Sequence, residues 1–203
     1  MFQAPPAAER EAARRALEPA DGPEASYAVL LKVPGGRIYA FYNHNTDNVR
    51  EVKREDKGVY KRVDSLGHYV FKFSDDHGRS WSARRYDVPV REFACDRTNV
   101  YGGRLRFFWN VGRPLMLNDA AMLVLHKVGA MGNGFFAQSE GVFLRSKSIL
   151  TESDPARIAF ETPWALKITV LPAGTSASSS MNTAPLARRS SQTNLLCTTS
   201  WRT

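Results

Sequence analysis

The sequence predicts an all-β fold in which antiparallel strands follow one another along the chain. Apolar and polar residues alternate over His68–Phe73, which is the pattern of a half-buried strand. A second alternation runs through Tyr86, Val88 and Val90. Between the two lies the polar segment Ser74–Trp81, which is typical of a tight turn. Together these stretches predict a β-hairpin.

Residue types in the Ser74–Trp81 segment suit such a turn. Gly78 can adopt a positive φ because it has no Cβ to clash. Ser74 and Asp76 carry short side chains that can hydrogen-bond backbone N–H groups within the turn. Trp81 offers a large apolar surface to bury beneath the hairpin.

Four strands are predicted in the first half of the chain. The Pro34–Gly36 turn joins the first two, and the long polar segment Asn43–Gly67 joins the second and third. Connections above about 15 residues are usually functional or disordered, so this segment is the first place to look for a site. Four antiparallel strands with this connectivity form one blade of a β-propeller. The predicted strands are Tyr27–Val33, Arg37–Tyr42, His68–Phe73 and Ala83–Val90.

A second, less regular set of four strands is predicted further along, with a glycine-rich connection at Gly129–Gly134. Because a closed propeller needs roughly four to eight blades, two sets predict a partial β-propeller. The chain would then be a fragment or would pair with something else. These strands are predicted at Val111–Leu117, Ala120–Val128, Gly141–Ser146 and Arg157–Glu161.

The predicted domain organisation has three parts. Residues 1–25 are a poorly ordered leader, in which Ala8–Leu17 suits a short exposed helix. Residues 26–164 hold the two blades. Residues 165–203 are rich in Ser and Thr and contain no acidic residue, which is typical of a disordered tail and equally of an out-of-frame reading.

The formal charge of +8 at pH 7 is unevenly spread. Half of it follows Glu161, in a segment without acidic residues. The densest charged stretch, Arg50–Arg62, interleaves acids with bases and resembles a solvated loop. We therefore expect no nucleic-acid partner, because that would need a continuous basic face.

Other bulk features predict absences. Cys95 and Cys197 lie far apart and give no disulfide framework, and the four histidines form no ligand motif, so no metal is expected. No apolar run approaches the roughly 18 residues of a membrane span. The N-terminus as written lacks the apolar core of a signal peptide, which predicts no membrane partner and a cytoplasmic location by default.

The spacing Ser-x-Asp-x-Gly-x-Ser-Trp resembles the Asp-box, or BNR repeat, of sialidases and related β-propellers, and an ordinary Asp-Gly hairpin is the alternative. The Asp-box positions are filled by Ser74, Asp76, Gly78 and Trp81. Together with Gly36–Asn45, the motif extends the resemblance to bacterial sialidase-like proteins over residues 26–164. The resemblance implies a six-bladed propeller that needs no cofactor, with a structural box on the side opposite the active site.

The same resemblance implies a catalytic set of three arginines, an acid/base Asp and a Tyr paired with Glu. Asp64, with Arg62 beside it, is the best positional match to the acid/base residue, and Asp47 is its rival. Arg113 is a candidate for a clamp arginine, since Arg suits a carboxylate ligand. Asp64 and Arg62 could equally form a surface salt bridge. The remaining arginines and the Tyr/Glu pair are not placed.

Candidate substrate-binding residues lie nearby. Asn43, His44 and Asn45 can hydrogen-bond sugar hydroxyls or cap their own loop. His126 and Lys127 could reach the same face, although a satisfied edge histidine is the competing interpretation of His126.

The sequence therefore predicts a sialidase-like glycoside hydrolase of the exo-α-sialidase type, acting on a sialoglycoconjugate. A non-catalytic carbohydrate-binding propeller module is the alternative. For this chain alone we expect little or no hydrolase activity.

Overall fold

A computed structural model describes residues 17–19, 21–53, 58–110, 112–129 and 139–167. They are mostly antiparallel β-sheet, which confirms the predicted all-β class. Within these residues no helix is long and apolar enough to cross a membrane. The elements are β1 (Ala25–Lys32), β2 (Ile38–His44), β3 (Val52–Lys53), β4 (Val59–Tyr60), β5 (His68–Ser74), β6 (Tyr86–Asp87), α1 (Ala94–Thr98), β7 (Phe107–Trp109), β8 (Leu115–Met116), β9 (Ala121–Val128), β10 (Glu140–Ser146) and β11 (Glu161–Lys167).

The first sheet is a four-stranded meander of β1, β2, β5 and β6, in which each strand pairs antiparallel with the next. This confirms the predicted strand order. The predicted fourth strand, Ala83–Val90, is too long, because ladder pairing is confined to Tyr86 and Asp87. Two residues explain the shortening. Ser82 binds the backbone of Phe73 from outside the ladder, and Pro89 has no N–H to donate.

The second sheet has the order β11, β10, β9, β7, with β8 also paired to β9. β7 pairs with the end of β9 and β8 with its beginning, so the two are one interrupted strand. Of the predicted strand Val111–Leu117, only Leu115 and Met116 pair with β9, and Val111 lies outside the described residues. At Gly112 a Cβ would lie 2.3 Å from the Val124 carbonyl oxygen, and Pro114 lacks an N–H. Pairing therefore breaks around these two residues.

The fourth strand of this sheet also differs from its prediction. The predicted segment Arg157–Glu161 contributes only its last residue to β11. A 3-10 turn at Pro155–Arg157 takes its place, and the Asp154 carboxylate caps it by accepting from the Ala156 N–H at 2.9 Å. Another 3-10 turn covers Ser148–Leu150. The predicted domain boundary at residue 164 falls inside β11.

The Ser74–Trp81 turn joins β5 to β6 and forms the hydrogen bonds that its residue types predict. The Ser74 hydroxyl donates to Asp76 Oδ1 at 2.7 Å and accepts from the Gly78 N–H at 2.8 Å. Asp76 Oδ1 also accepts from the Ser80 N–H at 2.8 Å. Gly78 has a φ of +82°, and Trp81 is half-buried beside it. The Ser80 and Ser74 donors hold the pKa of Asp76 well below its usual range.

One hydrophobic core joins the two sheets. Aromatic rings of the first sheet meet rings of the second, as where Tyr69 stacks on Phe108 with centroids 6.1 Å apart. Phe41 also meets Phe160, which lies just before β11, edge-on at 6.2 Å. Such pairs add about 0.5–1.5 kcal/mol beyond the area they bury. The sheets are therefore packed against each other through their aromatic faces.

The two ends of the strands form two rims. The box rim consists of the turns at residues 33–37, 74–81 and 147–160, which Arg37 connects by bonding Asp75 at 2.7 Å and the Ser153 carbonyl at 3.0 Å. The loop rim consists of residues 45–53 and 58–67 with the adjoining strand ends. Leu66 forms a β-bridge with Phe107 there, which brings the second sheet to the same rim.

Candidate functional site

Asp64 is the centre of a three-residue cluster on the loop rim. Its Oδ2 accepts hydrogen bonds from Arg62 Nε at 2.6 Å and from the Tyr27 hydroxyl at 2.8 Å. Arg62 Nη2 also donates to the Tyr27 hydroxyl oxygen at 3.2 Å, which closes a triangle. The side chain of Asp64 is 20% exposed and that of Arg62 is 66% exposed. The predicted pair Asp64 and Arg62 is thus brought together at the protein surface, with the carboxylate partly screened from water.

Tyr27 completes this cluster although the sequence predicted it only as a strand residue. Its φ is +59°, where β1 bulges between Ser26 and Val29. A non-glycine residue in this region costs on the order of 1–3 kcal/mol, so other contacts must hold it. Asn110 does so by donating its Nδ2 to the Tyr27 carbonyl at 3.1 Å. Burial and the Asp64 carboxylate raise the pKa of Tyr27, so the phenol stays a donor.

Asn43 positions the backbone beneath Asp64. Its Nδ2 donates to the Phe108 carbonyl at 2.7 Å and lies 3.5 Å from the Asp64 carbonyl oxygen. Asn45 instead caps its own loop, because its amide both donates to and accepts from the backbone of Val49. Both amides are buried. Asn45 caps its own loop, which is the alternative role that the sequence left open, whereas Asn43 connects the first sheet to β7 of the second.

The loop that carries Asp64 has its own support. β3 and β4 form a two-stranded sheet inside it, and the Lys53 N–H donates to the Tyr101 hydroxyl. Val52 and Leu66 are buried against Phe107 in a small cluster separate from the main core. The described part of this long connection is therefore ordered by packing rather than by local turns alone.

Asp47, the rival of Asp64, lies elsewhere on the loop rim. It is exposed, and its carboxylate lies 3.8 Å from His68 Nε2. Both residues border a cleft of about 260 Å³, which is also lined by Gly67, Glu92, Gly103, Arg104, Leu105 and Arg106. The Asp47 cleft and the Asp64 cluster share no residue.

The other predicted binding residues are scattered. Arg113, the candidate clamp arginine, is exposed between β7 and β8. The hydrogen bonds that Asp64 accepts come from Arg62 and Tyr27 instead. His126 is half-buried against the Trp109 ring, and burial lowers the pKa of its imidazole.

Lys127 does not fit the predicted binding role, because its side chain is fully buried. Its Nζ lies 2.7 Å from Asp96 Oδ1 and 3.6 Å from the centroid of the Phe108 ring. Burial outweighs the nearby carboxylate and lowers the pKa of Lys127 to about 8. Successive strand residues point to opposite faces, so His126 and Lys127 cannot reach one face together.

His44 is also buried, and its ring contacts protein groups on both sides. Its Nδ1 lies 2.9 Å from the Thr46 hydroxyl and its Nε2 lies 2.7 Å from Arg85 Nη1. Neither nitrogen is free to meet a sugar on the loop rim. The histidine belongs to a polar group on the outer face of the first sheet.

We compared the chain with models of protein families, with curated proteins and with solved structures. None matches. Within the parts of the chain that the structure describes, no group of three or more His, Cys, Asp or Glu side chains is placed to hold a metal ion. Cys95 is buried and unpaired with another cysteine, and Cys197 lies outside the described residues.

Proposed function

We propose that the two sheets are neighbouring blades of a sialidase-like β-propeller and that the chain contributes to a glycoside hydrolase of the exo-α-sialidase type. The observation that carries this proposal is the separation of two features of the first meander. The Ser74–Trp81 turn joins its third and fourth strands on the box rim. The Asp64 cluster lies on the opposite, loop rim.

In this proposal Asp64 is the general acid and base. Protonated Asp64 gives its proton to the glycosidic oxygen as the bond to the leaving group breaks, and the carboxylate later takes a proton from the attacking water. Tyr27 donates to the carboxylate and fixes its orientation. Arg62 is exposed enough to turn toward the substrate carboxylate, which its planar guanidinium can meet with two parallel hydrogen bonds.

Turnover by this chain alone should be low. Sialidase chemistry also needs a nucleophile and further arginines, and the Asp64 cluster supplies one arginine and one tyrosine that donates to the acid itself. The proposal therefore concerns sialic-acid recognition first, with hydrolysis dependent on residues beyond this cluster.

A non-catalytic carbohydrate-binding module is the second candidate. It is favoured by the 2.6 Å contact between Arg62 and Asp64, which compensates the charge of the carboxylate as in a structural ion pair. A binding module would keep this pair intact and recognise a sugar through hydrogen bonds around it.

Calorimetric titration of the full chain with N-acetylneuraminic acid tests the proposal, together with a fluorogenic sialoside as substrate. Arg62→Met should weaken binding at least about tenfold, since it removes the guanidinium that is proposed to meet the substrate carboxylate. Arg145→Met is the matched control, because Arg145 also pairs with an aspartate, Asp119, at 2.9 Å but outside the loop rim. It should leave binding unchanged.

The outcomes separate the two candidates. Slow hydrolysis that Asp64→Asn abolishes supports the hydrolase, whereas binding without any hydrolysis supports the binding module. Equal binding by wild type and Arg62→Met, or none by wild type, would overturn the assignment of this cluster to sialic acid.

A further inference from the structure

The outer face of the first sheet, away from the shared core, holds a carboxylate in a set of converging donors. The carboxylate belongs to Glu18. The Tyr42 hydroxyl donates to its Oε1 at 2.5 Å, and Lys72 Nζ lies 3.3 Å from the same oxygen. Arg85 Nη1 donates to the other oxygen, Oε2, at 2.8 Å. Both oxygens of one carboxylate are thus bound by side chains from β2, from β5 and from the segment just before β6.

This group, the Glu18 pocket, is largely closed to water. The side chains of Glu18 and Lys72 are 8% and 10% exposed, and Tyr42 is buried. Burial pushes the pKa of Glu18 upward, but the Tyr42 hydrogen bond and the charges of Lys72 and Arg85 outweigh burial and leave the pKa lowered. Glu18 is therefore ionised, and two cations face one anion.

His44 fixes the arginine of the pocket. A guanidinium can only donate, so His44 Nε2 must accept from Arg85 Nη1 across their 2.7 Å contact. The proton then lies on Nδ1, which donates to the Thr46 hydroxyl. Burial and the charge of Arg85 lower the pKa of His44 and keep it neutral. The donors are consequently held in place by the sheet itself and not by Glu18 alone.

Space for a ligand adjoins the pocket. A cleft of about 390 Å³ is bordered on one side by the segment Leu17–Pro19 itself and on the other by Tyr42 and residues 22–28, which would remain when that segment withdraws. Lys72 also donates to the Leu17 carbonyl at 2.6 Å, so the same donors hold the short segment Leu17–Pro19 in place. Removal of that segment would leave Lys72 and Arg85 as two cations without a counter-charge. This is strongly unfavourable for Lys72, which is 10% exposed, and less so for Arg85, which is 34% exposed.

We propose that Tyr42, Lys72 and Arg85 form a binding site for a small monocarboxylate and that Glu18 occupies this site in cis. A free carboxylate replaces Glu18 when Leu17–Pro19 withdraws, and its apolar portion extends into the adjoining cleft. A carboxylate matches the site because its two oxygens can accept hydrogen bonds from donors on two sides, as the two oxygens of Glu18 do. This inference goes beyond the proposed sialidase function, and its binding residues are not those of the Asp64 cluster.

Chemical rescue tests this site with propionate, which reproduces the end of a glutamate side chain. Glu18→Ala in the full chain should lower the Tm by about 5 °C or more, because it leaves two cations uncompensated. Propionate in the millimolar range should then raise the Tm progressively, since it binds the folded state. The same concentrations of sodium chloride or propionamide should not. Wild type should need higher concentrations of propionate than Glu18→Ala, because propionate must first displace Glu18.

Two further variants locate the effect. Glu18→Ala combined with Lys72→Met should lose the response to propionate. Asp119→Ala removes a carboxylate paired with Arg145 and Lys147 at an exposed position, and it should show no rescue. Equal responses to propionate and chloride in Glu18→Ala, or rescue that persists without Lys72, would overturn the proposal.

If Glu18→Ala does not stay folded in plain buffer, refolding yield replaces the Tm as the measurement. A yield that rises in propionate but not in chloride supports the site. Equal yields in the two salts, including none in either, contradict it. Sialic-acid binding at Asp64 is unaffected by either result, so the two proposals fail separately.

Discussion

The box turn at Ser74–Trp81 and the Asp64 cluster each surround an aspartate carboxylate with hydrogen-bond donors, but they are fixed in different ways. In the box turn, the hydrogen bonds of Ser74 and Asp76 reach residues two to four positions away. The contacts that hold Tyr27 join residues 35 to 83 positions apart. The box turn can therefore form from local sequence, whereas the Asp64 cluster exists only once both sheets have packed. Backbone strain at Tyr27 accompanies the second arrangement.

The largest difference in stability is expected between glycine substitutions on the two rims. At Gly67 on the loop rim, φ is +118° and a Cβ would lie 2.2 Å from the His44 carbonyl oxygen. Gly67→Ala should cost about 3 kcal/mol or more, because backbone must move to admit the methyl group. Gly36→Ala on the box rim meets open space at a φ of +92° and should cost about 1 kcal/mol. Urea denaturation of both variants measures the difference, and equal costs would contradict the contrast between rims.

A smaller loss is expected within the box turn. Ser74→Ala removes an acceptor for the Gly78 N–H and a donor to Asp76 at a buried position. It should lower the free energy of unfolding by about 1–2 kcal/mol. Sialic-acid affinity should not change, because the turn lies on the opposite rim from Asp64. A fall in affinity without a fall in stability would show that the two rims are not separate in function.

The smallest expected effect is on the stability of the protein at low pH. Hydrogen bonds from Ser80 and Ser74 lower the pKa of Asp76 below its unfolded value of about 3.9. Its stabilising contribution is therefore complete above the unfolded pKa and is lost as the pH falls through the lower native pKa. In wild type, stability should decline more steeply below pH ~4 than in Asp76→Asn. Denaturation curves between pH ~2 and ~5 measure this, and parallel profiles would show that the turn does not favour the ionised form.

The predictable part of the fold is the part with local signals. Alternation over His68–Phe73 and the turn residues after it predicted β5, the box turn and their order in the first sheet. Phe107–Trp109 was missed because three residues are too few to show a period. The break between β7 and β8 depends on the approach of Gly112 to Val124 across the sheet, and no local pattern contains that contact.

The candidate site also has a part with a local sequence signal and a part without one. Asp64 and Arg62 lie two positions apart, and their pairing could be anticipated from the sequence. Tyr27 joins them only through the bulge in β1, and Glu18 lay within a segment predicted to be a leader. The sequence does show that Lys127 stands among apolar residues near the end of a predicted strand. A lysine is fully buried almost only when it is paired, so such a position suggests an acidic partner. The partner, Asp96, lies on α1 and is not visible from the strand.

The ion pair between Lys127 and Asp96 favours one register of β9 against its neighbours. If β9 slipped by one residue against its neighbours, Lys127 would exchange faces with His126 or Val128. Asp96, which has no exposed surface, would then be a buried anion without its cation. Apolar residues lie on both faces of β9 and would tolerate such a slip. The loss of this buried ion pair therefore raises the free energy of the misaligned sheet.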